Sequence, residues 1–282
     1  MSKIDISSAA CSDIGLKRSD NQDSYLEAEG LYLVADGMGG GVKGRQASAT
    51  CMSVMEKLGN CKVRTKGDIL GCLQEAQSVV EQIGAREGGV AGTTLSGLIL
   101  KDEDMQEEGN AWYVVNVGDS RTYHVCPSQE GGFDRSTFEQ ITHDHSEQQK
   151  AIDTGKYLPE QAEKLIPRNL ITQAIGSPSP LKPDFYRADL GGRFIICSDG
   201  IYTQMSLSKL ANLCSAQKSA EQVAHCLVEA ALDGGGSDNA TVIVVDVKVE
   251  CEEGWLVSKL SQEEDIDFIS DATMENLHVQ RE

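Results

Sequence analysis

The chain has 282 residues, 40% hydrophobic and 24% charged, with a formal net charge of -19. This is the composition of a soluble globular protein, and the acidity excludes nucleic acid as a main partner, because a phosphate backbone demands a basic face. No run approaches the roughly 18 apolar residues of a membrane span, and Met1-Ser2-Lys3-Ile4-Asp5 lacks the apolar core of a secretory signal. The nine cysteines are odd in number and include no C-x-x-C pair; several sit in apolar runs such as Phe194-Ile195-Ile196-Cys197. They read as free thiols packed as small hydrophobes in a reducing compartment, so a cytoplasmic protein without membrane attachment is expected.

Residues 4–14 alternate loosely as a first strand. They lead into Gly15-Leu16-Lys17-Arg18-Ser19-Asp20-Asn21-Gln22-Asp23, which is too rich in turn formers for regular structure. Tyr25-Leu26 and Leu31-Tyr32-Leu33-Val34 suggest a hairpin around Glu29-Gly30. Its second arm delivers Asp36 to Gly37-Met38-Gly39-Gly40-Gly41, where glycine lets a ligand approach the main chain. Ala47, Cys51, Val54, Met55 and Leu58 recur at helical spacing over 44–58, with Gly59 as the stop. A second helix begins at Thr65, with Asp68 three residues on as a variant capping box, and a buried stripe of Ile69, Leu73, Ala76, Val80 and Ile83.

Strands rich in β-branched and aromatic residues follow at 93–100, 112–117 and 121–125, with one more at 138–141. From Thr142 to Pro183 the pattern turns short, polar and proline-punctuated, which reads as short helices and a flap over a site, at 146–168. Strands at 185–188 and 193–197 come next, then helices at 207–214 and 220–232, the latter capped by Ser219, and a last strand at 240–249. Runs of strands interrupted by helix pairs indicate an α+β fold with antiparallel sheets. One domain over 1–249 is expected, with an acidic, patchily apolar extension over 250–282.

Five aspartates recur in one local setting, at a strand end beside Gly, Ser or Asn: Asp23, Asp36, Asp119, Asp199 and Asp238. Each alone reads as a turn residue. Were the strand ends to converge, the carboxylates would form an oxygen-rich cluster that needs cations to be stable. Two cations bridged by one carboxylate could activate water and clamp a phosphoryl group. Arg18, close to Asp23 in sequence, is suited to grip phosphate bidentately.

At this point the residues resemble a family. Gly15-x-x-Arg18-x-x-Asn21-Gln22-Asp23, Val34-Ala35-Asp36-Gly37-Met38-Gly39-Gly40, Gly92-Thr93-Thr94, Gly118-Asp119-Ser120-Arg121, Ser198-Asp199-Gly200 and Ser237-Asp238-Asn239-Ala240-Thr241 stand in the order of the metal-dependent Ser/Thr protein phosphatases of the PPM (2C) type, bacterial members in particular. Thr142-His143-Asp144-His145-Ser146 and Thr172-Gln173-Ala174-Ile175-Gly176 resemble its intermediate motifs, and the match spans residues 5–249.

The resemblance implies a four-layer αββα sandwich of two antiparallel sheets flanked by helices. It implies two Mn²⁺ or Mg²⁺ ions held by Asp36, the Gly37 carbonyl, Asp199 and Asp238, and a third, weaker site at Asp119 with Asp199. Asp23 would support the water network, Arg18 would grip the phosphate, and Asn239 would stand beside the site. The implied reaction is hydrolysis of phosphoserine or phosphothreonine by a metal-activated water without a phosphoenzyme, opposing a bacterial Ser/Thr kinase system.

Met38 departs from the eukaryotic pattern, in which a histidine follows the Asp-Gly pair as a proposed general acid. His143 and His145 are the nearest replacements by motif and are not assigned that role. A catalytically weak PPM domain used as a scaffold, and a carboxylate-rich metal-binding domain without turnover, are the competing readings.

Overall fold

The computed structural model describes residues 5–39, 42–86, 88–104, 109–129, 131–249 and 255–266. Gly40, Gly41 and most of the expected acidic extension (250–254 and 267–282) lie outside the described residues. The strands are β1 (Asp5–Asp13), β2 (Asp23–Ala28), β3 (Leu31–Met38), β4 (Gly92–Thr93), β5 (Leu95–Leu100), β6 (Trp112–Val117), β7 (Arg121–Val125), β8 (Glu139–Gln140), β9 (Asp184–Ala188), β10 (Gly192–Cys197), β11 (Ala240–Lys248) and β12 (Val257–Lys259). The α-helices are α1 (Val42–Met55), α2 (Lys66–Arg86), α3 (Glu147–Asp153), α4 (Pro159–Leu165), α5 (Asp199–Tyr202), α6 (Leu207–Cys214) and α7 (Ala220–Asp233).

All named strand pairs are antiparallel. One sheet runs β1-β11-β10-β7-β8; the other runs β12-β9-β6-β5-β3-β2, with β4 paired to β3. Period-two alternation divides their apolar residues among three cores. Leu33, Ala35, Ile99 and Val115 face α1 and α2, where Cys51, Met55, Ile69 and Leu73 meet them. The alternate residues Val34, Leu98, Trp112 and Val114 meet Phe194, Ile196, Ile243 and Val245 between the sheets. Ile195, Cys197, Val242 and Val244 face Leu210, Cys214, Val223 and Leu227 of α6 and α7. Helix, sheet, sheet, helix is the expected αββα order.

Local chemistry sets the helix starts. Thr65 N–H and Oγ1 donate to Asp68 Oδ2 at 2.9 and 2.7 Å, and Asp68 N–H returns to Thr65 Oγ1 at 3.1 Å, closing the expected box. Ser219 and Gln222 form the corresponding box at α7. α1 ends earlier than the spacing predicts: it stops at Met55 and tightens into a 3₁₀ turn, Glu56–Asn60, around the expected stop Gly59.

The extension expected beyond residue 249 belongs, over residues 255–266, to the packing of the domain. β12 adds to β9 as an edge strand. Trp255 is buried and stacks on His124 at 3.6 Å between ring centroids. Lys66 Nζ donates to the carbonyls of Ser261 (2.5 Å), Gln262 (3.2 Å) and Glu264 (2.8 Å). An ammonium that satisfies carbonyls can be buried at modest cost, which is why an acidic-looking stretch settles there.

Candidate active site

The site lies where the chain passes between the sheets. Residues 14–22 cross from β1 to β2 and residues 118–120 cross from β6 to β7. Asp23 and Asp36 are direct cross-strand partners on β2 and β3. Asp199 opens α5 just after β10, Asp238 precedes β11, and Asp119 sits in the β6–β7 turn. The strand ends thus converge. A cavity of about 250 Å³ is lined by Arg18, Asp36, Gly37, Asp119, Asp199, Asp238 and Asn239, together with Met38. Asp23, 9% exposed, is not among its lining residues and accepts from Ser198 Oγ at 2.7 Å.

Backbone geometry shapes the floor. Gly37 N–H donates to Gln22 O at 3.2 Å, and a Cβ at Gly37 would collide with the Gly44 carbonyl, so only glycine permits that approach. Asp36 is fixed by its own peptide: its N–H donates to Thr94 Oγ1 at 2.9 Å, and its carbonyl accepts from Thr94 N–H (2.9 Å) and Thr93 Oγ1 (3.0 Å).

The electrostatics are those of crowded carboxylates. Burial, then the charges of Asp23, Asp199, Asp119 and Asp238, hold the Asp36 carboxyl well above the usual carboxylate range. Burial and then Asp119 and Asp238 push Asp199 up to about 8. Burial, partly offset by the Thr241 and Ser198 hydroxyls, pushes Asp23 up to about 6. Burial and then Asp144 push Asp119 up to about 6. Asp23 Oδ1 and Asp199 Oδ1 are buried with no hydrogen-bond partner among the described residues.

Among the described residues no three His, Cys, Asp or Glu side chains form a ready-made cage for an ion. Asp238 Oδ2 is instead held by Arg18 Nη2 at 2.6 Å. The donor set nonetheless fits a hard divalent cation: it is all oxygen, its buried Asp199 Oδ1 lacks a donor, and its mutual repulsion is the kind a cation relieves.

Asn239 is a strut. Its Oδ1 accepts from Gln22 N–H at 2.9 Å, and its Nδ2 donates to the Ile14 and Asp20 carbonyls, each at 2.9 Å. It ties the Arg18 loop to the start of β11. Neither histidine considered as a replacement acid lines the cavity. His143 pairs with Asp153 at 2.8 Å on the surface, and His145 is clamped between Gly118 N–H (3.3 Å) and Asp184 (3.4 Å).

Sequence reasoning missed the hydroxyls that align the strand ends. Thr94 Oγ1 and Ser120 Oγ lie 2.7 Å apart, and Ser96 Oγ and Thr122 Oγ1 lie 3.0 Å apart between the two sheets. The only signal was their position inside or beside the short motifs quoted above.

A four-layer αββα sandwich with an acidic cleft at one end defines the architectural class, and comparison with known proteins defines the family. No protein-family model matches the chain. The Ser/Thr protein phosphatase PstP of Mycobacterium tuberculosis is 34% identical over 248 residues, covering 85% of this chain and 44% of that protein. The chain therefore spans less than half the length of that relative. The protein phosphatase PhpP of Streptococcus pneumoniae is 31% identical over 255 residues, covering 84% of this chain and 96% of that one.

Among solved structures, the PPM Ser-Thr phosphatase MsPP of Mycobacterium smegmatis, in complex with cacodylate, superposes with a TM-score of 0.73 at 30% identity, covering 85% of this chain and 97% of its own. A PstP catalytic domain in complex with two manganese ions gives 0.70 at 31% identity, covering 88% and 100%. The chain belongs to the PPM, or 2C-type, family of protein phosphatases.

Proposed function

We propose that this chain is a metal-dependent protein Ser/Thr phosphatase that hydrolyses phosphoserine and phosphothreonine monoesters. The observation that carries the proposal is the convergence of Asp36, Asp119, Asp199 and Asp238 from both sheets on one cavity, with Arg18 on its rim. PstP and PhpP, similar over more than four-fifths of this chain, bear phosphatase names.

Asp36, Gly37, Asp199 and Asp238 would hold two Mn²⁺ or Mg²⁺ ions, and Asp119 with Asp199 a third. Such ions, when bound, activate water and neutralise phosphoryl oxygens. Asp23, accepting from Ser198, would support the water network of the site. Arg18 is half exposed and its guanidinium can turn from Asp238 to a substrate phosphate, for which its planar fork suits it. Among the described residues no Cys, Ser or His lines the cavity, which supports water rather than a side-chain thiol, hydroxyl or imidazole as nucleophile. Asn239 positions the Arg18 loop.

The catalytic unit is proposed as residues 5–249 with 255–266 packed on it. Its partners would be phosphoproteins of a cognate Ser/Thr kinase system. No described helix is long and apolar enough to cross a membrane; the proposed site of action is the cytoplasm.

The test is hydrolysis of p-nitrophenyl phosphate and a phosphothreonine peptide with and without Mn²⁺, beside Asp238→Ala. Activity that requires Mn²⁺, is abolished by EDTA and collapses in the variant is expected. Metal binding without turnover of either substrate would favour a scaffold instead. For the kinase link, a deletion strain should gain phosphoserine or phosphothreonine; an unchanged phosphoproteome would refute it.

A further inference from the structure

The acidic cavity has an uncharged neighbour. A second depression of about 350 Å³ shares Met38, Gly39 and Ile171 with it and is lined further by Val90, Ala174 and Thr172; among the described residues, none that lines it carries a charge. Its size and lining are those of a pocket for an apolar side chain. In a chain of net charge -19, directly beside converging aspartates, an uncharged recess is chemically set apart.

The recess is also held rigidly to the acidic strand. Met38 lies opposite Gly92 in the β3–β4 pair. A Cβ on Gly92 would come within 3.2 Å of Met38 Cγ and 3.3 Å of the Ile175 carbonyl, so glycine there leaves room for the methionine. Thr93 and Ile175 exchange both main-chain hydrogen bonds at 2.9 Å, pinning the 171–175 wall to β4. Thr93 Oγ1 in turn donates to the Asp36 carbonyl at 3.0 Å. One short strand therefore fixes both the metal-ligand candidate and the apolar wall, so the distance between them is preset.

We propose that this recess is a specificity subsite for an apolar side chain that flanks the phosphorylated residue of a protein substrate. The inference rests on the phosphatase reading and extends it from the phosphate to the sequence around it. With the phosphate over Asp36 and Arg18, the peptide leaves the acidic cavity across Met38, which with Gly39 and Ile171 is common to both depressions. Methionine is unbranched and adaptable, and it presents an apolar wall where a protonatable side chain would not. Val90, 58% exposed, forms the open side, and a substrate side chain would cover it.

The test is a set of phosphothreonine peptides in which Leu, Ala or Glu is placed singly at each of the three positions on either side. p-Nitrophenyl phosphate, which has no flanking residue, serves as the reference. One position should show a preference of about tenfold in kcat/KM for Leu over Glu, the low end for burying one such side chain in a half-open pocket. Val90→Lys should reverse that preference in favour of Glu at the same position, and Gly92→Ala, by displacing Met38, should flatten it. A response within about twofold at every position, with all peptides turned over, would overturn the subsite and leave the phosphatase reading intact. Turnover of neither peptides nor the small ester would overturn the phosphatase reading, and the subsite with it.

Discussion

Replacing Asn239 separates a strut from a ligand. The residue is 4% exposed and its amide makes three hydrogen bonds that join residues 14–22 to β11. Asn239→Ala removes all three and leaves Gln22 N–H and the Ile14 and Asp20 carbonyls unpaired. At about 1 kcal/mol for each bond, with water reaching part of this loop, the loss should be about 2–3 kcal/mol. In a domain of this size that lowers the melting temperature by about 5–10 °C. Asn239→Asp keeps the shape and the bond from Gln22 but turns the donor Nδ2 into an oxygen that faces two carbonyls. It should therefore be worse than the alanine variant at neutral pH. Urea unfolding in EDTA reads both without interference from metal. Asn239→Ala within 0.5 kcal/mol of the parent, or Asn239→Asp no worse than Asn239→Ala, would refute the strut argument.

Other perturbations test neighbouring claims. Arg18→Ala should raise KM for phosphopeptides by about tenfold with a smaller effect on kcat, since it removes one charge-assisted contact to phosphate; an unchanged KM would remove Arg18 from substrate binding. Trp255→Ala should cost about 3 kcal/mol in urea unfolding, because Trp255 is only 6% exposed and packs on His124 and Phe194; a loss below 1 kcal/mol would make residues 255–266 an appendage. Burial lowers His124 from 6.5 to about 3. Above pH 6.5 both folded and unfolded forms are neutral, and between 6.5 and about 3 only the unfolded form takes up the proton. Stability is therefore lost as pH falls through that window, by up to about 1.4 kcal/mol per pH unit. His124→Phe should remove that slope, and parallel pH profiles for the two proteins would refute it.

Much of this structure is legible because it is local. The strands at 112–117 and 121–125 and the helix at 207–214 were read from composition and period at the bounds they have in the structure. The carboxylates are legible as a set because each lies at or near a strand terminus beside a turn residue. What was hidden depends on long-range partners. Nothing near Arg18 in sequence announces an ion pair with a residue 220 positions away. Arg193 is fully buried, held by partners 21 or more positions away: Asp246 at 2.6 and 2.7 Å and the carbonyls of Cys214, Ala216 and Lys218. β12 has three residues, too few to show a period, and exists because β9 offers it an edge. α5 is a single turn and carries no helical stripe at all.

The position of the site follows from how the two sheets are joined. Along most of their interface the sheets meet through apolar side chains, which fix spacing but set no direction for a polar group. At the cleft end the contact changes to neutral hydroxyls: Ser96 with Thr122, Thr94 with Ser120, and Ser198 with Asp23. Hydroxyls align strand ends by directional bonds without adding charge, so they leave the aspartates' repulsion in place, and Arg18 pairs with Asp238 alone. The cost is visible in the raised carboxyls of Asp36 and Asp199. A fold that binds cations there recovers that cost on binding, because whatever favours the native site over the unfolded chain adds to stability. Removing metal should therefore lower the melting temperature of the parent and leave Asp238→Ala nearly unmoved. An equal fall in both would mean that metal stabilises the chain somewhere other than this cleft.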